Sequence, residues 1–320
     1  PVLSNLDPIP VDLGLSGVRL GISDNQTTRK FLVQEYPLVA FIVDHDQDSM
    51  STFDKSLTFA YYILVIVTAD QPLDLVDTPS AQGKILFNIA AQDGHLRDQQ
   101  CRSNVLHTIP SYAMRADALM QSLLKKRWTD VALIYGTFPT DRAFADAVRG
   151  SIKKFGLRLR SEKEWVFDAD MRRTASSEIP IFTQGFKDHD VLIVADEVHD
   201  FGRYVAYNTW LARPIAGSEG LRPLAWDRTV EQWGAAQLQS RFDKLGTRSM
   251  KDQDYAAWTA VRVIGEAVTR TTSADPTVLR GYIFSDDFKL AGFKGRPLSF
   301  RTWNGQLRQP IPVVSENALV

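Results

Sequence analysis

Between residues 85 and 161 the chain alternates short, almost wholly apolar runs with amphipathic stretches. ILFNIA (85–90) gives way to a polar loop and a crossing segment (104–111), and a helical segment, the run VALIYG (131–136) and a second helical segment follow. Parallel strands need long crossovers that cover the faces of their sheet, so such strands read as continuous apolar runs. The alternation therefore constrains the chain to an α/β architecture, with ligand chemistry expected at the carboxyl ends of the strands. VRLGIS (18–23), LVAFIV (38–43) and YILVIVT (62–68) read as earlier strands, and DNQTTRKF after the first of them reads as a helix-capping loop. Further strands are expected within LRLRSEKEWVF (157–167) and at VLIVAD (191–196). Ser111 is placed to cap a helix running to about Lys126, with Ala113, Ala116, Met120 and Leu124 on its apolar face, and Lys125, Lys126 and Arg127 offset the partial charge at its end. Residues 254–271 form an amphipathic helix pattern, and LSFRTW (298–303) before NGQ reads as a hairpin strand and turn.

At 320 residues the chain is long for one core, so two domains are expected, and 44% hydrophobic residues supply enough apolar material for both. A net charge of -1 gives no global field that would draw nucleic acid or an anionic membrane, so ligand selection must be local. Cys101 is the single cysteine, which rules out an intrachain disulfide and a multi-cysteine zinc site. The longest apolar run, Phe59 to Val67, is too short to cross a bilayer. The opening PVLSNLDPIPVDLG, rich in proline and poorly periodic, suits a mature N-terminus left after signal removal.

Motifs for chemistry are sparse. No GxGxxG follows the first apolar run, and there is no GxxxxGK[ST] and no GxSxG, so the common nucleotide and serine-hydrolase routes are unsupported. Asp196 and Glu197 are a conceivable acid–base pair, but adjacent strand residues face opposite ways and would not share one substrate. DHDQD (44–48) resembles a hard-cation string but lacks the glycine and distal glutamate of an EF-hand, and reads as a solvated turn. The histidines at 45, 95, 107, 189 and 199 are scattered; no metal, cofactor or catalytic residue is expected, and His107 reads as a hydrogen-bonded structural residue. Arg29 and Arg213 are each able to grip a carboxylate, with a surface ion pair as the competing role.

The strand series, broken by a crossing after HTIPS, resembles the type I periplasmic binding proteins of ABC importers. More narrowly, LFNIAAQDGHLRDQQCRSNVLHTIPSYAMRADAL, DHDVLIVADE, FGRYVAYNTWLARPIAGSEGLRPLAW and FKGRPLSFRTWNGQLRQP resemble one subfamily. It is the substrate-binding component of ABC transporters associated with pyrroloquinoline-quinone (PQQ) dependent alcohol oxidation, and the likeness spans about residues 12–312. Gln26 and Arg29 depart from the DNNTTG-like run expected in the first loop.

The resemblance implies an α/β fold of two doubly wound parallel-sheet lobes joined by a hinge, the Venus-flytrap arrangement. Residues 1–112 plus 232–290 are expected in one lobe and 113–231 plus 291–320 in the other, with a ligand cleft between them. By the same resemblance the first lobe offers Asp24, Asn25, Thr28, Thr68, Ala69, Ala91 and Gln92. The second offers Thr140, Asp141, Asp196, Glu197 and Trp226. Helix capping competes for Asp24, Asn25 and Thr28, an ion pair between lobes for Asp196 and Glu197, and a core role for Trp226 and Trp233. The implied protein is a monomeric periplasmic carrier, not an enzyme, that binds a small solute by hinge closure and meets an ABC permease. A sensing module for a separate receptor, and more remotely a hydrolase-like enzyme, are the alternatives.

Overall fold

A computed structural model describes residues 9–32, 35–41, 49–66, 75–166, 171–315 and 318–319. Of these, Pro10–Pro110 and Ala225–Pro310 make one compact unit, and Ile9, 111–224 and 311–319 make the other. The chain thus passes between units at three points: 110/111, 224/225 and 310/311.

In chain order the first unit opens with α1 (Leu15–Leu32) and α2 (Ser49–Phe59). The strands β1 (Tyr62–Val65), β2 (Ile85–Asn88) and β3 (Val105–His107) follow and pair in parallel, in the order β1-β2-β3. The second unit contributes α3 (Tyr112–Lys125), β4 (Asp130–Tyr135), α4 (Pro139–Phe155) and β5 (Arg158–Glu164). It continues with α5 (Met171–Thr183), β6 (Val191–Ala195), α6 (Gly202–Val205), β7 (Ile215–Gly217) and β8 (Arg222–Pro223). The chain then returns to the first unit for α7 (Ala235–Gly246), α8 (Asp252–Thr271), α9 (Pro276–Ile283) and the antiparallel pair β9 (Ser299–Phe300) and β10 (Leu307–Arg308). It ends in the second unit with β11 (Val313–Ser315), which pairs with β8 and with β12 (Ala318–Leu319).

The second unit shows why a doubly wound sheet needs uninterrupted apolar strands. Its parallel strands run in the order β5-β4-β6-β7. Val131, Leu133, Val191 and Ile193 face the core under α3 and α4, while Ala132, Ile134, Leu192 and Val194 face the core under α5 and α6. Successive residues serve opposite faces, so neither parity can be polar. The first unit repeats the arrangement, with Ile85 and Phe87 against α8 and α9, and Leu86 on the other face with Phe53 and Leu57 of α2.

Four expectations are corrected. VRLGIS is not a strand but lies inside α1, and DNQTTRKF continues the same helix instead of capping another. Gly17, Gly21 and Asn25 recur every four residues on a buried stripe that packs against α8. There is no room for a side chain at the two glycines: a Cβ on Gly17 would overlap the Asp254 carbonyl, and one on Gly21 would meet Val261 Cβ at 2.8 Å. Gly17→Ala is expected to destabilise the protein by about 2 kcal/mol in urea denaturation, the scale of overpacking a close contact. A loss below about 0.5 kcal/mol would mean that α1 can lift off α8 freely.

LVAFIV forms no strand over 38–41, where Leu38, Val39 and Phe41 are exposed and unpaired in any sheet of the described residues; 42–43 lie outside those residues. The apolar face of α3 is wider than expected: Ala116 and Met120 are buried and Leu124 packs against the core as the spacing implied, but Tyr112, Leu119 and Leu123 are buried as well, and Ala113 is exposed. The unit boundaries also shift. Residues 225–231 and 291–310 pack with the first unit, because Trp226 and Val230 join Leu238, Tyr255 and Trp258, while Leu298, Phe300 and Leu307 join Ile85, Phe87 and Leu106.

Candidate functional site

In an open α/β sheet the strand order reverses where neighbouring crossovers leave on opposite faces, and ligands bind outside the carboxyl ends at that point. In the second unit β5 lies on one side of β4 and β6 on the other, so the reversal falls between β4 and β6. Four acidic residues follow those strand ends: Asp141 in the first turn of α4, then Asp196, Glu197 and Asp200 after β6.

Three of these carboxylates have defined tasks. Asp196 is fully buried and accepts from the backbone N–H groups of Asp200 (3.0 Å), Phe201 (2.9 Å) and Gly202 (2.6 Å), so it anchors the start of α6. Burial raises its pKa, and those backbone donors work the other way. Asp141 is 1% exposed and accepts from Glu197 N at 2.7 Å and Phe138 N at 3.3 Å. Burial pushes its carboxyl up to about 7, the Glu197 N–H pulls it down, and the nearby Asp196 charge pushes it up again. Glu197 is held by Arg115, whose two terminal nitrogens reach its oxygens at 2.5 and 3.0 Å, and by the Ser218 hydroxyl, which donates at 2.8 Å. Arg115 Nε donates to Pro223 O at 3.1 Å, and its guanidinium carbon lies 4.6 Å from the centre of the Phe144 ring. Ser218 Oγ in turn accepts from Asp196 N at 3.0 Å.

The outer rim of this frame is His199 and Glu219. His199 Nδ1 lies 3.1 Å from Glu219 Oε1, and the two side chains keep 48% and 23% exposure. That contact, with the Glu219 charge, raises the His199 pKa. His199 also takes a positive φ of 57°, uncommon for a residue with a side chain. In chemical terms the frame is closely hydrogen-bonded inside, with Glu197 neutralised by Arg115, and carries an accessible His199–Glu219 contact outside.

The first unit has its own strand-end turn. Asn88, the last residue of β2, accepts through Oδ1 from the N–H groups of Ala90 (3.1 Å) and Ala91 (2.9 Å) and donates through Nδ2 to Ala91 O (2.8 Å). This side chain replaces the ladder and ends the strand there, two residues before the apolar run does. Asn88 Nδ2 also lies 2.9 Å from His107 Nδ1. His107 is buried, and burial holds its pKa well below the ordinary value, so the ring is neutral. Arg97 locks the turn, donating to Gln306 Oε1 (2.6 Å), Asp93 O (2.8 Å), Ala91 O (3.0 Å) and Ile109 O (3.3 Å).

Of the residues expected at a site, Ala91 and Gln92 lie at this first-unit turn, and Thr140, Asp141, Asp196 and Glu197 lie together at the second-unit strand ends. Asp24 and Asn25 do not lie at a strand end. Asp24 accepts from Trp258 Nε1 (2.9 Å) and pairs with Arg241, while Asn25 is buried and donates to Val261 O (2.9 Å). Trp226 is core, 2% exposed and stacked on Tyr255 at 4.8 Å, because its indole N–H finds Gln239 Oε1 inside the unit. Trp233 is 58% exposed. The Thr28 side chain, Thr68, Ala69 and DHDQD lie outside the described residues. Arg213 makes a surface pair with Asp188 at 2.8 Å. The partner of Glu197 is Arg115 in its own unit, in place of the ion pair between lobes that competed for it. Sequence reasoning missed Arg115, Ser218, His199 and Glu219. Arg115 was findable, since it falls on the same helical stripe as Tyr112 and Leu119, where a charge must have a buried partner.

Among the described residues no three His, Cys, Asp or Glu side chains form a metal-binding set, and no helix is long and apolar enough to cross a membrane. A shallow groove of about 650 Å³ on the first unit, lined by Ala236, Gln237, Ser240, Arg241 and Phe293, includes none of the strand-end residues.

Two parallel-sheet units, linked by three chain passages, are the fold of the type I periplasmic binding proteins of ABC transporters. Among solved structures the chain is similar to an ABC transporter substrate-binding protein from Desulfitobacterium hafniense, with a TM-score of 0.73, 14% identity, and coverage of 100% of this chain and 97% of that one. It is also similar to a leucine-, isoleucine-, valine-, threonine- and alanine-binding protein from Brucella ovis in a closed conformation (TM-score 0.77, 13% identity, 98% and 87% covered). A third is the solute-binding protein of an ABC transporter from R. palustris in complex with benzoate (TM-score 0.70, 12% identity, 97% and 90% covered). No protein-family model matches the chain, and no curated protein matches it in sequence.

Proposed function

We propose that the chain is a substrate-binding component of an ABC transporter, residing in the periplasm, which captures a small organic solute and presents it to a membrane permease. The observation that carries this reading is the strand-order reversal in the second unit, where a pre-bonded polar frame sits at the sheet's carboxyl end. Asp141, Asp196 and Glu197 belong to that frame and Thr140 stands beside Asp141, while Ala91 and Gln92 lie at the strand-end turn of the first unit. Binding is by closure: the solute shifts an open–closed equilibrium by the difference in its affinity for the two states. The role is carriage by a monomer, without catalysis.

The frame also bears on what the solute is. Arg115 is spent on Glu197 and Pro223, so a carboxylate would find no free guanidinium there. The accessible polar contact is the His199–Glu219 pair, which suits a solute with a hydroxyl or a zwitterionic head. The neighbours named for amino acids and the one holding benzoate give the first probes. The sequence resemblance to the PQQ-linked subfamily adds alcohols, aldehydes and their acids, and we place the solute in that alcohol-oxidation chemistry.

The test is a thermal-shift series with branched-chain amino acids, benzoate and other aromatic acids, small alcohols and carboxylates, PQQ, and di- and trivalent cations. One chemical class is expected to raise the melting temperature in a concentration-dependent way without being consumed. Glu219→Gln is expected to cut that shift at least tenfold in apparent affinity while leaving the unliganded melting temperature in place. Turnover of any probe would replace the carrier reading with an enzyme. Silence across every class would replace it with a protein-partner role.

A further inference from the structure

Lys294 is the one ammonium-bearing side chain among the described residues' buried polar groups, and it lies where the chain leaves the first unit for the last time. Its Nζ donates to Gln309 Oε1 at 2.7 Å and to Pro310 O at 3.0 Å, so it holds the final residues before the 310/311 passage directly. Gln309 passes the restraint on, since its Nε2 donates to Thr108 O at 2.8 Å, two residues before the 110/111 passage. Thr108 is itself fixed to α8 through its hydroxyl, which donates to Ala256 O at 2.9 Å. The same Nζ lies 4.5 Å from the centre of the Tyr255 ring, and Tyr255 carries Trp226 stacked at 4.8 Å. Trp226 follows the 224/225 passage by two residues, and its N–H donates to Asp252 Oδ1 at 3.0 Å.

We propose that Lys294 is a clamp that ties the first-unit ends of all three chain passages to one rigid base on α8, and that, on the closure reading proposed above, it stiffens the passages about which the units would hinge. Every contact in the set lies within the first unit. An apolar residue would satisfy the burial at position 294 at lower cost than an amine. The amine's distinctive contribution is simultaneous donation to a side-chain and a main-chain oxygen on one strand end, while it sits over the ring that supports another. Tyr255 is pinned in turn by its hydroxyl, which donates to Gly292 O at 2.7 Å, so the clamp and its ring platform are fixed on both flanks of the 292–294 turn. The clamp does not depend on the identity of the solute, and its test uses none.

The measurement is amide hydrogen exchange on the whole chain, followed in peptides over 106–110, 224–228 and 309–313. Lys294→Met is expected to speed exchange about tenfold in all three, while peptides over β4 and β6 in the second unit stay as they were. Acceleration confined to 309–313 would reduce Lys294 to a local bond and overturn the proposal. Uniform acceleration throughout the first unit would likewise overturn it, as simple destabilisation. Two milder variants separate the arms if that substitution prevents folding. Gln309→Leu is expected to loosen 106–110 and 309–313 but spare 224–228, and Tyr255→Leu is expected to do the reverse. If both variants loosen the same peptides, the passages are not tied through Lys294.

Discussion

Replacing Arg115 with Ala is expected to cost about 3–5 kcal/mol of stability, the scale of stranding one partner of a buried ion pair. The side chains of Arg115 and Glu197 are only 5% and 11% exposed, and their contact is bidentate. Without the guanidinium, Glu197 would be left beside two other buried carboxyls, Asp141 and Asp196, with the Ser218 hydroxyl as its remaining side-chain donor. The stacking of the guanidinium on Phe144 would be lost as well. Two controls isolate the charge. Glu197→Gln keeps an acceptor for Arg115 and is expected to cost less, and Arg115→Met with Glu197→Met is expected to cost less than the two single changes added together. Chemical denaturation at neutral pH reads all of these. A loss under about 1 kcal/mol for the Ala variant would place the pair in the class of solvated surface bridges, and the frame would no longer be rigid by virtue of that contact.

That pair also marks how far the sequence could be read. The runs at 85–87, 131–134 and 191–195 are legible as strands because both faces of their sheets are covered, which leaves no polar residue within them to blur them. The helices at 112–125 and 252–271 are legible because each begins at a polar residue and keeps helical spacing. VRLGIS fails on the same criterion that succeeds elsewhere: six residues of mixed apolar character fit a strand or one face of a helix. What separates them is the spacing of Gly17, Gly21 and Asn25, small or polar residues four apart, which make sense only where one helix backbone lies on another. At the site, the positions of Asp196 and Glu197 followed from the strand that ends at Ala195, but their partners did not. Arg115 is 82 residues away from Glu197, and only the packing of α3 beside β8 brings it there. Ser218, His199 and Glu219 sit in loops, where no periodicity reports which way a side chain points.

Lys294 also supplies the second large effect, a rise of stability with pH above neutrality. Burial pushes its amine down to about 7 from the ordinary 10.5, with the Asp252 carboxylate acting weakly in the other direction. Between those two values the unfolded chain holds a proton at this position that the folded chain has released. The unfolded state therefore binds more protons, and unfolding free energy increases as pH rises. The cost of burying the amine is present in full below pH 7 and fades as pH approaches 10.5. At about 1.4 kcal/mol per pH unit, Lys294 is expected to add roughly 4 kcal/mol between pH 7 and pH 10. Other groups titrate in that range, so the quantity to measure is the difference between the wild-type and Lys294→Met slopes in urea denaturation at several pH values. Parallel curves would mean that the amine keeps its proton in the folded state, satisfied by water or by Asp252. The clamp is separable from this effect, because a neutral amine still has two hydrogens, enough for both Gln309 and Pro310. Hydrogen exchange at the three passages should then stay slow on both sides of pH 7, once corrected for its intrinsic pH dependence, while global stability climbs.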